Sequence, residues 1–171
     1  MKLHRQIAIT AALILSSLSV SSCWIYSFSG TSIKPDVKTI CIEPVKNNAL
    51  KTNPTLANNL TEAMMDKYKK MTSLSQVTEE ADCYVYATIE SYDVKPSAVT
   101  ADEVAAQNRL TVTVKVKYTN EKHPEENLEQ SFAAYQDYNS ERSLDEVENT
   151  LCEDIIETLV EDIFNATMAQ W

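Results

Sequence analysis

Between Asn108 and Thr119 apolar and polar residues alternate: Leu110, Val112, Val114, Val116 and Tyr118 are separated by Thr111, Thr113, Lys115 and Lys117. Successive side chains of a strand point to opposite faces, so this period of two predicts a β-strand with one face in a core and one in water. The segment Cys83 to Val94 has the same rhythm. Val85, Ala87 and Ile89 fall on one face; Tyr84, Tyr86, Thr88, Glu90 and Tyr92 fall on the other. The polar run NEKHPEEN then returns the chain through LEQSFAAYQDY, which predicts an antiparallel hairpin. Earlier, VKTICIEPV is short, apolar and β-branched and stops at Pro44, as a strand buried on both faces would.

Two segments carry the helical period instead. Leu56, Leu60, Met64 and Met71 share one face, with Ala57, Ala63 and Tyr68 beside them. This predicts a helix ending near Met71, with Asn53 as its N-cap and Pro54 at its first position. Ser143 and Glu146 have the spacing of a capping box, and a long helix follows. Its first apolar row is Val147, Leu151, Ile155, Leu159 and Ile163, and Ile156 and Val160 form a second row beside it. The order β-α-β-β-β-α predicts an α+β fold: a two-layer sandwich with a four-stranded mixed sheet and two helices on one face.

The first residues follow another logic. Lys2 and Arg5 precede the apolar run IAITAALILSSLSV, which has the length of a secretory signal core and is short for a membrane span. Ser21 and Ser22 then stand directly before Cys23. This resembles the lipobox of bacterial lipoproteins, with Val20-Ser21-Ser22 as recognition positions. The resemblance implies cleavage before Cys23 and acylation of Cys23; an ordinary secretory signal with a coincidental cysteine is the alternative. Two or more acyl chains anchor a protein stably where one is marginal. The expected organisation is a signal peptide over 1–22, a lipidated N-terminus and linker over 23–36, and one domain over 37–171. Trp24 after the cysteine is not the aspartate that retains enteric lipoproteins in the inner membrane, so the expected location is the periplasmic side of the outer membrane.

Charge narrows the partners. The chain carries −10, and loss of Lys2 and Arg5 takes it to −12. Nucleic-acid binding draws its affinity from Lys and Arg at phosphates, so no nucleic-acid partner is expected. Cys41, Cys83 and Cys152 are far apart and form no metal-ligand spacing; a Cys41–Cys83 bridge would require their strands to be neighbours. With a single glycine, Gly30, the chain has no glycine-rich phosphate loop and no G-x-S-x-G elbow. His123 beside Pro124 reads as a solvated turn residue. Glu146, Glu153, Asp154, Glu157 and Glu161 recur at helical spacing and read as a solvated stripe. No catalytic residue, metal or cofactor is expected, and the protein is read as a non-enzyme.

Two features exceed what a solitary domain needs. The row Ile156 and Val160 is either covered by the first helix or free for a partner. Tyr84, Tyr86 and Tyr92 mark a sheet face that suits either solvent or a protein interface, where tyrosines are enriched. These five residues are the candidate partner-binding positions.

Taken in order, CWIYSFSGTSIKPDVKTICIEP, NPTLANNLTEAM, NRLTVTVKVKYTN, QSFAAYQDY and LVEDIFNATMAQW resemble the lipopolysaccharide-assembly lipoprotein family, LptE, particularly its Bacteroidota-type members. The resemblance implies a lipid-anchored outer-membrane subunit of the lipopolysaccharide translocon. Such a subunit plugs the LptD β-barrel, assists its assembly and helps insert lipopolysaccharide into the outer leaflet. Basic residues contact lipopolysaccharide in enteric members; their positions do not align residue by residue onto this chain, and Arg109, Lys115, Lys117 and Lys122, a small basic patch around the hairpin, are the candidate contact. The alternative is an outer-membrane lipoprotein that binds a small ligand or another envelope protein through its sheet face.

Overall fold

Strand β1, Thr39–Ile42, enters the core first. The computed structural model describes residues 33–51, 53–97 and 106–169, all within one compact unit spanning Thr31–Trp171. Cys23 lies outside the described residues. After β1 come β2 (Lys46–Asn47), α1 (Leu56–Met71), β3 (Ser75–Gln76), β4 (Cys83–Pro96), β5 (Gln107–Asn120), β6 (Leu128–Asn139) and α2 (Leu144–Met168). The sheet runs β3-β1-β4-β5-β6, with β2 also beside β4. Pairs β1–β3, β1–β4 and β2–β4 are parallel; β4–β5 and β5–β6 are antiparallel. The α+β sandwich with a mixed sheet and two helices is therefore as the pattern predicts.

Among the described residues the strand count is six rather than four, because the chain adds β2 and β3, two residues each. Both are polar and exposed, so they carry no hydrophobic period and pair through backbone alone. β1 and β2 are successive pieces of one line along β4: Ile42 pairs with Val85, and Lys46 with Thr88. Pro44 interrupts that line, as a residue without an N–H must interrupt a ladder.

The helix ends also differ from expectation. Asn53 Oδ1 accepts the Thr55 N–H at 2.9 Å, yet the regular helix starts only at Leu56. The Leu56 N–H reaches back three residues to the Asn53 carbonyl, so the first turn is wound more tightly than an α-helix. At α2, Ser143 occupies the N-cap without a side-chain cap bond. Glu146 turns to Arg142 instead, 3.8 Å away, so the capping box does not close. Asp145 and Glu146 still place negative charge at the helix N-terminus, where the macrodipole favours it.

Packing follows the apolar rows. Val147, Leu151, Ile155, Leu159 and Ile163 are all buried against the sheet residues Val85, Ile89, Leu110, Val112, Val114 and Val116. Each fully buried side chain of this size is worth about 1.5–3 kcal/mol. At the far end Tyr68 is fully buried, edge-on to Phe164 at 5.2 Å, with its hydroxyl 2.6 Å from Thr167 Oγ1. Burial pushes the Tyr68 phenol well above its usual range. Cys41, Cys83 and Cys152 are free and buried. Cys41 pairs with Tyr84 and Cys83 with Ile40, so the two thiols lie on opposite faces and cannot bridge.

One irregularity redirects a candidate residue. The β4–β5 register shifts between Ile89 and Ser91, leaving Glu90 as an extra residue. Beyond it Tyr92 pairs with Val112, a core residue, and so faces the helices rather than the side of Tyr84 and Tyr86. The expected five-residue alternation from Tyr84 to Tyr92 is corrected accordingly. Deleting Glu90 is expected to leave Ser91 opposite Thr113 and Tyr92 opposite Val112, at a cost within about 1 kcal/mol, whereas deleting Asp93 would flip the rest of β4. Urea midpoints of the two deletions check this; equal losses would count against the bulge.

Candidate interaction surface

Helices α1 and α2 cover one face of the sheet, and among the described residues no helix covers the other. Direct neighbours across the ladder share a face, so the bare face is read from the register. Tyr84 lies opposite Thr119, Tyr86 opposite Lys117 and Thr88 opposite Lys115; further along, Thr111 is opposite Tyr135 and Arg109 opposite Asp137. The surface is a flat array of threonines, paired charges and tyrosines.

Its two ends are aromatic. Tyr84 and Tyr86 stack with centroids 6.1 Å apart and planes at 12°. The Tyr84 hydroxyl accepts the Ala81 N–H at 3.0 Å and is fixed, whereas Tyr86 is 40% exposed. At the other end Arg109 lies 3.8 Å over the ring of Tyr135, which is 55% exposed. A guanidinium over an aromatic face is a cation–π contact. Tyr135 was not singled out from sequence; its outward position in LEQSFAAYQDY was the available signal, but its arginine partner becomes visible only through the β5–β6 register.

The remaining candidates separate. Tyr92 donates its hydroxyl to the Glu148 carboxylate on α2, and burial plus that bond push its phenol far above the usual range. Ile156 and Val160 are 6% and 5% exposed, forming with Ala63 the floor of the groove between α1 and α2. They are covered by the first helix and do not form a free partner surface.

The basic positions are largely occupied. Arg109 bonds both oxygens of Asp137, at 2.7 and 2.8 Å. Lys115 pairs with Glu129 at 2.7 Å, which lowers that carboxyl and raises the lysine. Lys122 sits 2.9 Å from Asp82 and also bonds the Asp36 carbonyl, away from the bare face. Lys117 alone of the four has no ion-pair partner among the described residues. Three of the four expected basic positions are therefore internally compensated, and Lys117 is the exception.

Lys122 belongs to a knot between the start of the domain and the β5–β6 turn. Lys34 meets Glu125 and Glu126 at 2.7 and 2.9 Å, and His123 Nε2 lies 2.9 Å from Asp36. His123 is thus a turn residue as expected, held by a carboxylate rather than free in solvent. His123 depresses the Asp36 carboxyl, and Lys34 that of Glu125. Among the described residues no three His, Cys, Asp or Glu side chains converge as metal ligands, and no helix is long and apolar enough to cross a membrane.

This arrangement defines an α+β sandwich with one sheet face packed by helices and the other presented bare, tyrosine-ended and charge-compensated. The chain belongs to the LptE family, lipopolysaccharide-assembly proteins, whose family model matches residues 37–167. Its role therefore lies in lipopolysaccharide assembly. A search of curated proteins returns no match. Among solved structures, the hypothetical protein CT253 from Chlamydia trachomatis superposes with a TM-score of 0.52 at 11% identity, covering 78% of this chain and 99% of its own. That likeness is one of fold. A minor lipoprotein from Acinetobacter baumannii gives a TM-score of 0.49 at 12% identity, covering 74% of this chain and 89% of its own. Lipoprotein GNA1162 from Neisseria meningitidis gives 0.42 at 13% identity, covering 75% and 99%.

Proposed function

We propose that this chain is the lipid-anchored, periplasm-facing outer-membrane subunit of a lipopolysaccharide translocon, acylated at Cys23, which plugs an LptD-like β-barrel and assists its assembly. It acts by contact and not by catalysis. The observation that carries this reading is the family match over nearly the whole described domain. The geometry supports it: the bare sheet face offers Tyr86 and the Tyr135–Arg109 stack, residue types that anchor interfaces. The compensated cations favour a protein partner over direct recognition of an anionic headgroup.

The test is affinity purification of the tagged full chain from detergent-solubilised outer membranes. A large β-barrel is expected in near-stoichiometric amount. The double variant Tyr86→Asp, Tyr135→Asp is expected to weaken its retention about tenfold, or about 1.4 kcal/mol, with an unchanged melting temperature. Recovery of the chain alone would sink the translocon reading and favour a small ligand or another envelope protein at the sheet face. Undiminished retention by the double variant would move the contact off this face.

A further inference from the structure

Strand β6 forms one edge of the sheet, paired through twelve consecutive positions from Tyr118↔Leu128 to Gln107↔Asn139, without a register break. Among the described residues nothing pairs with its other side. Soluble proteins ordinarily blunt such an edge with lysine, proline, a bulge or a cover. β6, LEQSFAAYQDYN, has no lysine, no proline and no bulge, and α2 packs beside it without pairing to it. Its two charges, Glu129 and Asp137, are turned back in ion pairs to Lys115 and Arg109 on β5. Among the described residues no backbone hydrogen bond is made on the outer side of this edge from Leu128 to Tyr138.

What lies beside the edge has a definite sign. The short turn 140–143 sends α2 back along β6, and a groove opens between Gln136 and the helix residues Asp154, Glu157, Thr158, Glu161 and Asp162. Asp154, Thr158 and Asp162 recur every four residues and so form one row. Glu161 is paired with Lys67, but Asp154, Glu157 and Asp162 have no cationic partner among the described residues.

We propose that the β6 edge is a strand-addition site for an extended segment of a partner protein that carries Lys or Arg at every second position. An added strand would pair with the open backbone, and its alternate side chains would fall on opposite faces. Those on the helix side meet the row Asp154–Asp162, which selects cations. Those on the other side meet the bare face near Ala133 and Tyr135, which suits apolar residues. A second copy of this chain fits poorly. Self-pairing centred on Ala133 sets Glu129 opposite Asp137 and brings two acidic helix rows together, in a protein already carrying −10. The proposal stands apart from the translocon reading, since it needs only an extended cationic segment.

The experiment titrates the full chain, in detergent at low salt, with a labelled nonapeptide of alternating Lys and Val. Binding is expected to slow hydrogen exchange of the β6 amides at least tenfold. Asp154→Lys with Asp162→Lys, both on the exposed helix face, is expected to weaken it at least tenfold. The same peptide with every backbone amide methylated keeps its charge but loses its donors, and is expected to give no protection. Protection outside β6, undiminished binding of the methylated peptide, or indifference to the charge reversal would each overturn the proposal. So would sedimentation showing a dimer whose protected strand is β6.

Discussion

Ile156→Asp is expected to abolish cooperative folding rather than to weaken a partner contact selectively. Ile156 is 6% exposed beneath α1, with Ala63 and Val160 beside it. The substitution removes about 2–3 kcal/mol of apolar burial. It also places a carboxylate where its neighbours on α2 are Glu153 and Glu157. The two lysines lining the groove are already committed, Lys67 to Glu161 and Lys70 to Asp66. A buried, unpaired charge costs several kcal/mol more, and domains of this size have only about 5–15 kcal/mol in total. Ile156→Val, which trims one methylene without adding charge, is expected to cost about 0.5–1.5 kcal/mol. Thermal melting followed by circular dichroism separates the two. A soluble Ile156→Asp protein with the wild-type midpoint would show that α1 does not cover this row.

The contrast between Ile156 and Tyr86 marks how far the sequence could be read. Period and length are local properties, so the alternation in β5 and the apolar rows of α2 identify both elements and their buried sides. Whether a second row meets another helix or a partner is a tertiary matter, and the pattern of Ile156 and Val160 is the same in either case. The bulge at Glu90 was illegible for a related reason. No glycine or proline marks it, and only the ladder with β5 reveals that Tyr92 has changed face. The capping spacing of Ser143 and Glu146 was present, but Arg142 competes for the same carboxylate. Likewise the four cations looked like a patch because their acidic partners, Asp137, Glu129 and Asp82, stand far away in sequence. Strands β2 and β3 left no trace because backbone pairing needs no particular side chain.

Asp82 carries the clearest pH dependence. Its Oδ2 accepts the backbone N–H groups of Lys38 and Thr39 at 2.7 and 3.1 Å, and Oδ1 pairs with Lys122 at 2.9 Å. In return the Asp82 N–H donates to Thr39 Oγ1 at 2.9 Å, so one residue joins the start of β1 to the start of β4. The Lys122 bond, then the Lys38 N–H, hold the carboxyl down to about 2. In the unfolded chain an aspartate titrates near about 3.9. A folded value below the unfolded one stabilises the protein fully above the unfolded value, and the contribution is lost as pH falls through the folded value. Asp82→Asn keeps the shape but loses the charge that strengthens these bonds, at an expected cost of about 2 kcal/mol at neutral pH. The gap to wild type should stay constant above about pH 5 and close between about pH 4 and pH 2. Comparing the two proteins by urea unfolding across that range cancels the other depressed carboxyls, such as Asp36 and Glu125. A gap that persists undiminished at pH 2 would mean that shape, and not the ionised carboxylate, makes the junction.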